Sequence, residues 1–179
     1  MSSAPLVRLR GASDPSPADD PLARQFRVVA LDAPPQHGPE AGRAIGRALE
    51  ERGLTDVDLV AAGDAGAAAL WLALEHPERV RALVLESPTA IGRDAEIERR
   101  LPEIATPTLV LFGTSDRAAA QDTGRVYTKL IPNSHLVFVY DAKETIGHDR
   151  PEAFTEVVAD FLERHEAFII NRTPTVIHP

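Results

Sequence analysis

The stretch that decides the architecture is VDLVAAGDAGAAALWLALEHPERVRALVLESP, residues 57–88. It begins with a short, nearly continuous apolar run and contains another at 80–87, and such runs are typical of strands buried on both faces of a parallel sheet. Between them, residues 65–76 are apolar almost all round, which predicts a buried helix. Small residues at 61–66 allow a tight turn from strand to helix. The stretch therefore predicts a strand, helix and strand in succession.

The same alternation continues on either side of this stretch. We expect a doubly wound, mostly parallel sheet of about six strands with helices on both faces, because strands and helices alternate along the chain. Residues 1–168 are expected to form one domain, followed by a C-terminal tail at 169–179. The further strands are predicted at 5–11, 26–33, 106–113 and 135–142, and the further helices at 40–53, 122–131 and 151–168.

Composition excludes several classes of function. The 179 residues carry a formal net charge of −8 and form no basic run, which argues against a nucleic-acid partner. There are no cysteines, so disulfides, thiol nucleophiles and Cys-ligated metals are excluded. The histidines have no metal-ligand spacing and no phosphate-binding glycine loop is present, so we predict neither metal nor cofactor. No apolar segment predicts a signal peptide or membrane span, and the expected location is therefore cytoplasmic.

Three segments together resemble the α/β-hydrolases, and the likeness runs from residue 5 to residue 168. They are 57–88, in which HPERVRALVLESP (76–88) is especially typical, TPTLVLFGTSD (106–116) and GHDRPEAFTEVVADFLE (147–163). The resemblance implies an α/β-hydrolase core that lacks the N-terminal hairpin and most of the helical cap. Only residues 89–105 fill the place of the cap, enough for one helix, so any site is expected to be open to solvent.

The resemblance places Asp64 at the position of the nucleophile. A carboxylate there is similar to the haloalkane dehalogenase and epoxide hydrolase branches, in which it attacks carbon and forms an ester that water cleaves. The alternative is structural, because Asp tolerates the positive φ expected at the elbow and is a good N-cap for the following helix. The acid of the triad falls on Asp116, which is equally explained as a turn residue.

The position of the base has two interpretations. Gly147-His148 matches the phrase that carries the family's histidine, but an alignment anchored on residues 139–142 places Lys143 and Glu144 there and leaves no base. For the oxyanion, the resemblance implies Gly11 and the N–H of Ala65. Arg10 replaces the family's histidine, and it is either an anion-binding group or a solvated strand-end residue.

These departures predict a hydrolase by ancestry with a degenerate catalytic site, weakly active or non-catalytic. Loss of one triad member leaves only ~10³–10⁴-fold catalysis over water in a serine hydrolase. The alternative is an active hydrolase that acts on a small-molecule substrate through Asp64, His148 and Asp116.

A protein partner is a further possibility that the sequence raises. Without the N-terminal hairpin, the strand at 26–33 should lie at a sheet edge, and long apolar edges are usually covered or paired. A partner protein, a second copy of the chain, the tail 171–179 or the loop 11–25 could cover it.

Overall fold

The structure is a computed structural model, which describes residues 4–12, 14, 16–169 and 174–178. Seven strands form one parallel sheet in the order β2-β1-β3-β4-β5-β6-β7, which confirms the predicted doubly wound architecture and adds one strand to it. The strands are β1 Leu6–Arg10, β2 Val28–Asp32, β3 Val57–Ala62, β4 Val80–Glu86, β5 Thr108–Gly113, β6 Ser134–Val139 and β7 Thr175–Ile177.

Helices cover both faces of the sheet. One face packs against α1 to α4, and the other against α5, α6 and a 3-10 turn at Pro21–Arg24. The reduced cap contributes one short helix, α3, as expected from the length of residues 89–105. The helices are α1 Pro39–Glu51, α2 Ala65–Glu75, α3 Ala95–Arg100, α4 Ala118–Leu130, α5 Ile146–Asp149 and α6 Pro151–Arg164.

The side chains of β1 alternate between the two faces of the sheet. Val7 and Leu9 belong to the cluster of α1 and α2, whereas Leu6 packs in the cluster that contains α6. Because successive side chains in a strand point to opposite faces, Arg8 and Arg10 lie on the α6 side with Leu6. Two arginines are thereby directed to one face near the carboxyl end of an interior strand.

The two edges of the sheet are formed by β2 and β7. β2 lies at one edge, as predicted, and no strand flanks its outer side within the described ranges. The idea that the tail covers this edge is wrong for residues 174–178, because Thr175–Ile177 pairs with β6 at the opposite edge. The reason is the path of α6, whose apolar side packs on β4, β5 and β6 and so leads the chain towards the β6 edge. A partner at β2 stays a prediction.

The described part of the loop 11–25 also packs on the sheet. Its Leu22 is fully buried and packs with Leu6 and Val60 on the α6 face of the sheet. Asp20 caps this turn by accepting a hydrogen bond from the Leu22 N–H at 2.9 Å. The described part of the loop therefore covers a face beside β1. Among the described residues, none of the helices has the length and hydrophobicity that a membrane span requires.

Candidate functional site

The turn between β3 and α2 has its strained residue at Gly63, with φ 50°. Asp64 is in the right-handed helical region at φ −68° and ψ −26° and makes no capping hydrogen bond with its side chain. The expectation that Asp64 adopts the positive φ and caps α2 through its carboxylate is therefore wrong. Glycine takes the left-handed conformation because it has no Cβ, which leaves Asp64 free to start the first helical turn.

The Asp64 carboxylate is directed to the reduced cap. Its Oδ1 accepts hydrogen bonds from the Thr89 hydroxyl at 2.6 Å and from Arg93 Nη1 at 2.8 Å. The side chain is 80% exposed. Hydrogen bonds to a carboxylate, above all from a guanidinium, stabilise its negative charge. Both bonds therefore lower the nucleophilicity of that oxygen.

The two candidates for the base lie close together on α5 and the loop before it. His148 and Glu144 are both exposed, and both line one cleft on the α6 side of the sheet. The His148 backbone N–H donates to the Thr145 carbonyl at 3.0 Å. Its imidazole has no hydrogen-bond partner in the described part of the chain, and the choice between the two alignments stays open.

Asp116 lies in the turn that follows β5. Its Oδ1 accepts a hydrogen bond from the Arg117 N–H at 2.7 Å, immediately before α4. This is the bond of a turn residue. Within the residues described, neither Asp64 nor Asp116 makes a hydrogen bond to His148, so the Asp64–His148–Asp116 triad stays a prediction.

The two groups expected to bind an oxyanion are brought together. A Cβ built on Gly11 would lie 3.9 Å from the Ala65 nitrogen, so the end of β1 and the start of α2 are adjacent. Ala65 is the first residue of α2, where an N–H has no acceptor within the helix. The Gly11 N–H, however, donates to Asp14 Oδ2 at 2.9 Å. A carboxylate thus occupies one of the two donors that an oxyanion would need.

The side chain of Arg10 is partly buried at the carboxyl end of β1. Its side chain is 24% exposed, and its Nη1 lies 3.4 Å from Asp32 Oδ1 on the neighbouring strand. Its Nε is buried and has no hydrogen-bond partner among the described residues. The Nε–H of Arg10 therefore lacks an acceptor within the described chain. The residue also lines the edge of a cleft.

The cleft has a volume of about 730 Å³. Its floor is the α6 side of β1, β2 and β3, and includes Arg8, Arg10, Val28, Ala30 and Ala62. One wall comes from the loop between β1 and β2, and the other from the segment that carries Glu144 and His148. This volume lies within the ~300–1,000 Å³ usual for small-molecule sites.

A buried ion pair at the base of the cleft was missed by the sequence interpretation. Arg8 Nη2 lies 2.9 Å from Glu86 Oε2, and the two side chains are 10% and 3% exposed. Glu86 also accepts the Gly147 N–H at 2.8 Å, which ties α5 to β4. The signal was the presence of charged residues in predominantly apolar strands, Arg8 in PLVRLRG and Glu86 in VRALVLES.

Electrostatics favours the charged form of Arg8. Burial lowers the pKa of the Arg8 guanidinium, but the charges of Glu86 and Asp20 and the hydrogen bond to Glu86 outweigh it, so the pKa is raised. The guanidinium also lies over the Phe154 ring of α6, 5.7 Å from its centroid. Arg8 is thus a charged group held in place by β4, α6 and the 3-10 turn.

Metal binding has no candidate site in the described ranges, because nowhere do three or more His, Cys, Asp or Glu side chains form a suitable group.

Solved structures share the fold. A predicted CIB-like hydrolase from Thermoplasma acidophilum is 18% identical, with a TM-score of 0.76 over 90% of this chain and 87% of that one. The enol-lactonase of Burkholderia xenovorans LB400 is 18% identical, with a TM-score of 0.73 over 90% and 92% of the two chains. MenH from S. aureus is 16% identical, with a TM-score of 0.74 over 93% and 96%.

Comparison of sequences adds one distant match. Residues of this chain are 34% identical over 125 positions to a segment of polyketide synthase ThaQ from Burkholderia thailandensis. The match covers 64% of this chain but only 6% of that much longer protein. No model of a protein family matches the chain.

Proposed function

We propose that this chain, which has the α/β-hydrolase fold, is a hydrolase by ancestry whose catalytic site has degenerated, so that it hydrolyses substrates weakly or not at all. The observation that carries the proposal is that Asp64 is hydrogen-bonded to Arg93 and Thr89 and to no other member of the expected triad within the described residues. A carboxylate nucleophile must bring an electron pair to carbon, and these bonds oppose that attack.

The state of the oxyanion donors supports the same conclusion. An oxyanion beside Gly11 would have to displace Asp14, or lie against its negative charge. Removal of one donor from an oxyanion hole typically lowers the rate by ~10²–10³-fold. An occupied donor is expected to have a comparable effect, in addition to that of an altered nucleophile and an imidazole without a hydrogen-bond partner in the described chain.

The experiment that tests this proposal compares the wild type with Asp64→Asn on alkyl esters, aryl esters and short haloalkanes. We expect the two proteins to agree within roughly twofold on every substrate, because Asp64 forms no covalent intermediate. Asp122→Asn is the matched control, since Asp122 is also an exposed aspartate paired with an arginine, Arg125, and lies on α4.

The alternative, an active hydrolase using Asp64, His148 and Asp116, gives the opposite outcome. Asp64→Asn would abolish a rate that Asp122→Asn retains, and the proposal would be wrong. His148→Gln would then slow hydrolysis of the ester intermediate. Mass spectrometry would detect the ester formed from a haloalkane, with release of halide, as an added alkyl mass on the peptide containing Asp64.

A further inference from the structure

We draw no further inference here: the strongest candidate, the apolar floor of the cleft formed by Val28, Ala30 and Ala62 beside the edge strand β2, is a partly exposed face of the sheet, and nothing in the part of the chain that the structure describes shows what would cover it.

Discussion

The elbow and the floor of the cleft each contain an arginine paired with a carboxylate, in opposite surroundings. Asp64 and Arg93 are 80% and 66% exposed, whereas Glu86 and Arg8 are 3% and 10% exposed. Water screens the first pair, so its members can separate at small cost. The second pair cannot lose one member without leaving a buried charge. Both pairs contain an arginine and a carboxylate. Burial, and not residue type, therefore makes the loss of one partner costly in the second pair and not in the first.

The largest expected effect comes from breaking the buried pair. Arg8→Met leaves the Glu86 carboxylate without its counter-charge, and we expect the free energy of unfolding to fall by about 3–5 kcal/mol. Urea denaturation followed by circular dichroism measures this loss. The double variant Arg8→Met/Glu86→Gln should recover at least about 1 kcal/mol, because Gln is neutral and still accepts the Gly147 N–H.

An exposed ion pair contributes less than about 1 kcal/mol. If Arg8→Met lowers the free energy of unfolding by no more than this, the buried pair and the exposed pair at the elbow do not differ in their contribution to stability.

An intermediate effect concerns the buried phenol of Tyr127, on the elbow side of the sheet. Burial raises the pKa of Tyr127 to about 12, and its hydroxyl oxygen accepts the Ile91 N–H of the reduced cap. Since the folded-state pKa lies above the unfolded value of about 10, the contribution to stability is complete below pH 10. It is lost as the pH rises towards 12, by about 2–3 kcal/mol. Urea unfolding at a series of pH values measures this loss.

Tyr140, which is half exposed, provides the control for this prediction. Tyr140→Phe should keep the loss of stability above pH 10, whereas Tyr127→Phe should remove most of it. If both variants lose stability above pH 10 as the wild type does, the Tyr127 hydroxyl is not the source of that loss.

The smallest effect is expected at the elbow itself. Arg93→Ala removes the cation that binds Asp64 and should change the free energy of unfolding by less than about 1 kcal/mol. Calorimetric melting against the wild type measures it, with Arg99→Ala as the matched variant, since that arginine is equally exposed on the same segment. A loss of several kcal/mol in Arg93→Ala would contradict this expectation. It would mean that the Asp64–Arg93 pair stabilises the fold as strongly as the buried Arg8–Glu86 pair.

Much of the fold could be predicted, because near-continuous apolar runs such as 57–62 and 80–86 have the length of buried strands and are too short for most helices. β7 was not predicted as a strand, since its three residues carry no detectable pattern and gain their conformation from pairing with β6. The small residues of the elbow were recognised, but Gly63 and Asp64 are adjacent and both tolerate positive φ. Sequence alone could not tell which of them takes it.

The site was less accessible to prediction for a physical reason. Asp64 was singled out because of its place in a turn, but its partners Thr89 and Arg93 come from a segment distant in the chain. Arg8 and Glu86 were passed over because they come from segments 78 residues apart, and nothing in the sequence indicates that they meet. Only the order of the sheet, with β3 between β1 and β4, and the common face of both side chains bring them together.

The interior position of β1 has a consequence for how the sheet is assembled. Leu6 pairs with Val28 on one side and with Asp58 on the other, so this strand is enclosed only by segments that follow it at long separations. Such non-local pairing slows folding, because long loops must close before any contact is gained. During synthesis, β1 has both neighbours only after residue 62 has emerged. A split or circular permutation placed between β2 and β3 would therefore separate a central strand from its partner, and such a cut is expected to be far less tolerated than one after α6.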